Sequence, residues 1–118
     1  MAPEPFQRLV QATIVSLNGL REAYRSEPAF RQELFVFLLV IPTAWILTTT
    51  RMERALLIGS WMLVIVVEMV NSAIEAAVDR MGEERHELSR KAKDFGSAAV
   101  FCSIIFSVTV WILVLVPR

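Results

Sequence analysis

The chain has 118 residues, 55% of them hydrophobic, and its 12 basic residues balance 12 acidic ones for a formal net charge of zero. A mean hydropathy of +0.53 is high for a water-soluble domain of this size. Neutrality argues against nucleic acid as a partner, because binding to it rests on Lys and Arg set against phosphate. Cys102 is the lone cysteine and lies in an apolar stretch, so no intrachain disulfide can form.

From Phe6 to Tyr24 the pattern is amphipathic. Phe6, Leu9, Val10, Leu17, Leu20 and Tyr24 share one helical face, and Arg8, Gln11, Asn18 and Glu22 the other. This predicts a surface helix over residues 5–26, too polar to cross a bilayer and suited to lie in its interface. Residues 1–30 hold no continuous apolar run of the signal-peptide kind. Pro28 then breaks the helix. The residue before a proline is pushed out of the α region, so Glu27 is expected at a bend, while proline itself suits a first helical position.

Three segments follow that reach or approach the roughly 17–25 residues needed to span about 30 Å of hydrocarbon. The predicted spans are residues 29–50, 55–81 and 90–116, within one membrane domain covering residues 1–118. Arg51-Met52-Glu53-Arg54 is expected as a short outer hairpin, and Pro42 as a kink in the first span. Gly82 is expected to end the second helix and Ser89 to cap the third. Nine basic residues (Arg8, Arg21, Arg25, Arg31, Arg80, Arg85, Arg90, Lys91 and Lys93) fall on one side, against Arg51, Arg54 and Arg118 on the other. The positive-inside rule therefore places the N-terminus and loop 80–94 in the cytoplasm.

The second span carries the most informative feature. Glu68, Asn71, Glu75 and Asp79 sit at about 0°, 300°, 340° and 20° around the helix, one narrow polar stripe. An ionisable side chain at bilayer depth costs roughly 2.5–3.5 kcal/mol on insertion scales and survives mainly where it binds an ion, moves a proton or pairs. Two glutamates and an aspartate without a lysine among them call for a cation or for proton chemistry. Glu75 and Asp79 reach the headgroup layer, Glu68 sits one to two turns deeper, and Glu27 arrives at the same level from the bend.

Mg²⁺ favours one or two carboxylates together with phosphate oxygens and water, which Glu27 and Glu75 could supply. Glu68, the least exposed to water, is placed to accept a proton from a lipid hydroxyl, with Asn71 one turn away to orient it or the substrate. No glycine-rich phosphate loop is present, so a nucleotide would be held by charge, from Lys93, Arg8 and the metal. The stripe also admits a plain reading as packing glue between helices. Asp79 could simply pair with Arg80 or Arg85, and His86 reads as a solvated loop residue. Trp45, Trp61 and Trp111 read as lipid-facing or core residues. A stripe that cannot face lipid also predicts an oligomer that buries it, with Ala73, Ala76 and Ala77 permitting close helix approach.

Three stretches carry a specific resemblance: Glu-x-Ala-Phe-Arg-Gln-Glu (27–33), Glu-x-x-Asn-Ser-x-x-Glu-x-x-x-Asp (68–79) and Ala-Lys-Asp-x-Gly-Ser-Ala-Ala-Val (92–100). In this order and spacing the chain resembles the small integral-membrane prokaryotic diacylglycerol kinases. The resemblance implies an all-α membrane protein with three transmembrane helices and an N-terminal amphipathic surface helix. It further implies a homotrimer in the bacterial inner membrane, with sites shared between subunits. It implies ATP- and Mg²⁺-dependent phosphorylation of diacylglycerol to phosphatidic acid. By position, Glu68 resembles the general base and Glu27 and Glu75 the metal ligands. Asn71, Lys93 and Asp94 resemble nucleotide or active-site residues, and Arg8, Glu84, Arg85 and His86 nucleotide contacts. Arg21, Ala29, Phe30, Arg31, Gln32, Glu33 and Ser97 resemble parts of the lipid-substrate region, which Arg8 and Glu68 border.

Two alternatives stay open at this point. Enzymes of the same architecture phosphorylate undecaprenol instead of diacylglycerol. A small proton-coupled transporter would also use a membrane glutamate, although such proteins look like four-span chains with the glutamate in the first span.

Overall fold

The computed structural model describes residues 4–82 and 86–117. Among these the protein is all-helical: α1 (Pro5–Ser26), α2 (Pro28–Leu47), α3 (Arg51–Arg80) and α4 (Glu87–Leu115). α2, α3 and α4 are each long and apolar enough to cross a membrane. α3 is the central helix, packed most extensively on α4 and next on α2, whereas α1 makes its main contacts with α2.

The break at Pro28 falls where the proline predicts it. Glu27 adopts an extended conformation (φ −115°, ψ 100°) and serves both neighbours at once. Its N–H donates to Ala23 O at 2.9 Å to close α1, and its carbonyl accepts from Arg31 N at 3.2 Å to open α2. Arg31 locks the elbow from the other side, its Nη1 donating to Tyr24 O at 2.9 Å and Arg25 O at 3.1 Å. Those carbonyls have no partner within their own helix, and a guanidinium is well suited to the negative end of a helix. α1 then leaves the bundle with Ala23 as its one buried residue.

The turn between α2 and α3 differs from the sequence expectation. Residues 48–50 make the connection, and Arg51–Arg54 form the first turn of α3. Thr50 caps that turn by accepting from Glu53 N at 3.2 Å, and its hydroxyl meets Glu53 Oε1 at 2.7 Å. This is a Thr-x-x-Glu capping arrangement, which satisfies helix N–H groups better than an open hairpin would. Arg54 folds back, with Nη2 donating to Thr48 O at 3.0 Å and its guanidinium carbon 3.9 Å from the Trp45 ring centroid. Pro42 lies inside α2, which continues to Leu47.

Past the end of α3, Gly82 takes φ 111°, the left-handed conformation that glycine tolerates after a helix. Ser89 does not cap α4, because His86 does. Its Nδ1 accepts from Leu88 N at 3.1 Å and places Ser89 inside the first turn.

The buried face of α3 runs Leu57, Ser60, Val64, Glu68 and Asn71, spaced three and four apart as one helical stripe requires. It meets Phe30, Glu33, Val40 and Ala44 as the buried residues of α2, and Gly96, Ser103 and Ser107 as those of α4. The same seam that is apolar at Leu57 and Val64 becomes carboxylate at Glu68. Hydrogen bonds tie it across: Ser60 Oγ to Ser107 Oγ at 3.0 Å, and Trp111 Nε1 donating to Leu57 O at 3.2 Å. Trp61 Nε1 donates to Glu33 O on α2 at 2.8 Å. Two of the three tryptophans thus use their indole N–H as interhelical ties, beyond the lipid-facing or core role their sequence context suggests.

Candidate active site

Four elements lie at one end of the bundle: the α1–α2 elbow, the first turns of α2, the last third of α3 and the first turns of α4. The polar stripe of α3 grades from inside to outside. Glu68 and Asn71 are 6% and 7% exposed, Glu75 is half-buried and Asp79 is exposed. Glu33, one helix across, is 8% exposed. Glu75 lies two turns beyond Glu68 on the same face of α3, and Glu27 stands at the start of α2, the helix that carries Glu33. Glu33 and Glu68 are thus buried carboxylates and Glu27 and Glu75 half-buried ones, with no lysine or arginine ion-paired to any of them among the described residues. Concentrated negative charge of this kind is costly unless a cation or a proton is taken up.

Individual partners define what each group is free to do. Asn71 Nδ2 donates to Glu75 Oε1 at 3.3 Å, which orients one oxygen of Glu75 and leaves the other available. Asn71 Oδ1 and Glu33 Oε2 are buried without a hydrogen-bond partner. The Glu27 side chain makes no capping hydrogen bond. Asp79 pairs with Lys93 of α4, Nζ to Oδ1 at 2.6 Å, and not with its sequence neighbour Arg80. Arg90 bridges Glu87 and Asp94 along one face of α4, with Nη1 at 2.6 Å from Asp94 Oδ2.

The remaining residues singled out in the sequence spread over the rim. Arg8 and Arg21 are exposed on α1, away from the carboxylates in sequence and free of ion pairs in the described part of this single chain. In the 29–33 stretch Phe30 and Glu33 point inward and are buried, whereas Ala29, Arg31 and Gln32 are exposed. Ser97 is exposed on α4, and His86 is the α4 cap. Glu84 and Arg85 lie outside the described residues. Among the described residues no group of three or more His, Cys, Asp or Glu forms a metal-binding cluster.

Three residues have positioning roles that the sequence analysis did not assign them. Arg31 acts through the elbow that carries Glu27. Trp61 grips α2 at Glu33, and it sits seven residues before Glu68, two turns away on the same face, a spacing that could have signalled it. Gly96, which belongs to no glycine-rich loop, is a buried residue of α4 and faces Asn71.

Three membrane-length helices with acidic side chains at one end of the bundle define a polytopic membrane protein with a polar site among its helices. Comparison with known proteins makes this particular. The family model described as prokaryotic diacylglycerol kinase matches residues 14–115. A diacylglycerol kinase of Escherichia coli K12 is 51% identical over 110 residues, covering 93% of this chain and 90% of the relative. A diacylglycerol kinase of Pseudomonas aeruginosa is 45% identical over 121 residues, covering 98% of each. One of Helicobacter pylori J99 is 42% identical over 106 residues, covering 90% of this chain and 83% of the relative. The chain belongs to the prokaryotic diacylglycerol kinase family.

Proposed function

We propose that this protein transfers the terminal phosphoryl group of ATP to the free hydroxyl of diacylglycerol in the bacterial inner membrane, producing phosphatidic acid. The observation that carries the reading is the burial of Glu68 on the same face of α3 as half-buried Glu75, two turns further along. A base that must remove a proton from a lipid alcohol belongs at this depth, and the groups that meet a nucleotide belong nearer the water.

Glu68 accepts the hydroxyl proton as the lipid oxygen bonds to the terminal phosphorus and the bridging oxygen leaves with ADP. Asn71 orients Glu75 and borders the reacting groups. Glu27 and Glu75 fit Mg²⁺ by donor chemistry: each is a half-buried carboxylate with an oxygen free, and two such oxygens plus phosphate oxygens and water are what this ion prefers. When bound, Mg²⁺ would offset the charge on the phosphates. Arg8, Glu84, Arg85, His86, Lys93 and Asp94 border the nucleotide, with Lys93 released from Asp79 as phosphate arrives. Arg21, Ala29, Phe30, Arg31, Gln32, Glu33 and Ser97 border the lipid. Phosphoryl transfer needs positioning and charge neutralisation more than covalent chemistry, so this lean set suffices.

The working form is a trimer. α1 has a polar and an apolar face, yet it buries only Ala23 in one chain, and Ala73, Ala76 and Ala77 leave a small-residue surface exposed on α3. Packing α1 in the membrane interface and α3 against another subunit covers both. The N-terminus and loop 80–94 face the cytoplasm, where ATP is.

The test is transfer of labelled phosphate from ATP in mixed micelles holding either diacylglycerol or undecaprenol, with Mg²⁺ titrated from zero. The reading expects Mg²⁺-dependent labelling of diacylglycerol. Labelling of undecaprenol alone would overturn the substrate assignment, and no labelling of either would overturn the reaction.

A further inference from the structure

Gly96 sits in the interior of α4, where glycine is disfavoured relative to alanine. Its backbone is ordinary helix, so no special conformation calls for it. The reason lies across the seam. A Cβ at position 96 would stand 2.2 Å from Asn71 Oδ1 and 3.2 Å from Asn71 Cγ, with Ile74 Cδ1 next at 3.8 Å. The two closest obstacles belong to one functional side chain. Asn71 Oδ1 is itself buried and lacks a conventional donor. What it faces is the Cα–H of Gly96.

We propose that Gly96 is a positioning residue for the Asn71–Glu75 pair. Its bare Cα provides the slot that receives the Asn71 amide, and a Cα–H donates weakly to an oxygen that nothing else satisfies. With Oδ1 seated there, the NH₂ end is turned toward Glu75 Oε1, 3.3 Å away. Asn71 could dodge a Cβ by changing rotamer, but only by swinging its amide out of the slot and away from Glu75. α4 thus sets the orientation of a carboxylate on α3 without touching it. The consequence for the nucleotide rests on the reading of Glu75 as a metal-side ligand; the geometric claim does not.

The chain has two asparagines, Asn18 and Asn71. Selective ¹⁵N-asparagine labelling of the full-length protein in micelles therefore gives two side-chain amide signals, with Asn18 as an internal control. Gly96→Ala should move the Asn71 signal, leave that of Asn18, and raise the Mg²⁺ concentration for half-maximal activity about 10–100-fold, the usual effect of losing a group that orients a metal ligand. In an Asn71→Ala background the alanine at 96 has nothing to strike, so Gly96→Ala should shift the Mg²⁺ requirement no further. An unmoved Asn71 signal, or an undiminished effect in that background, overturns the proposal. A moved signal with an unchanged Mg²⁺ requirement upholds the positioning and overturns the metal role of Glu75. If Gly96→Ala alone does not fold, recovery of folded protein in Asn71→Ala/Gly96→Ala supports the slot, and failure to recover refutes it.

Discussion

Lys93 reaches from the second turn of α4 to Asp79 in the last turn of α3, Nζ to Oδ1 at 2.6 Å. It clips the two helices together on the side where they join the intervening loop. Both side chains remain largely exposed, 45% and 65%, so the pair is screened by water and salt and opens readily. A phosphate with greater charge density can therefore displace the carboxylate.

Asp79→Asn should leave Lys93 unpaired and remove a negative charge from the nucleotide's approach. KM for ATP is expected to fall by about two- to five-fold, the range an exposed pair can command. Turnover should stay nearly constant, and Lys93→Gln should raise KM instead. Steady-state kinetics at varied ATP checks this; an increased KM in Asp79→Asn would show that the clip orients Lys93 rather than competing for it.

Trp61 grips α2 through a single hydrogen bond to Glu33 O, at 2.8 Å. Trp61→Phe keeps most of the ring and removes the donor, which should cost about 0.5–1.5 kcal/mol of stability, the net value of one such bond. Loosening α2 beside buried Glu33 should also lower turnover several-fold. Denaturant unfolding in micelles alongside turnover measures both, and wild-type values for each would leave Trp61 as filler.

These ties mark the boundary of what could be read from the residues alone. The stripe from Glu68 to Asp79 was legible because a helical period needs only spacing, and the elbow at Glu27 because Pro28 dictates it locally. The family was legible because three motifs fall in order. Which carbonyl an indole meets is different, since it depends on how far α3 is rotated against α2 and α4. Trp61 and Trp111 therefore looked like lipid-facing or core residues. The α4 cap was misplaced at Ser89 because Ser outranks His by propensity, yet the His86 imidazole accepts from Leu88 N and starts the helix earlier. The Thr50-x-x-Glu53 cap draws Arg51–Arg54, expected as a short hairpin, into the first turn of α3. Gly96 gains its meaning only when Asn71 is seen opposite it.

The proposed oligomer makes a separate demand. If Glu68 and Glu75 of one site come from neighbouring subunits, two inactive variants can complement each other. Mixing Glu68→Gln with Glu75→Gln subunits should restore a fraction of wild-type activity, because some mixed interfaces hold both intact carboxylates. Co-purification through different tags verifies that mixed oligomers form. Mixed oligomers that remain inactive would place both residues in a single subunit's site.

The central claim is that buried Glu68 takes the proton from the lipid hydroxyl. The most direct measurement is the turnover of purified Glu68→Gln with diacylglycerol, ATP and Mg²⁺, in protein whose oligomeric state and thermal unfolding match the wild type. Glutamine keeps the size and hydrogen-bonding reach of the side chain and removes its basicity. Turnover should fall about 10²–10⁴-fold, the usual loss on removing a general base. Turnover within a few-fold of wild type in that variant would contradict the account.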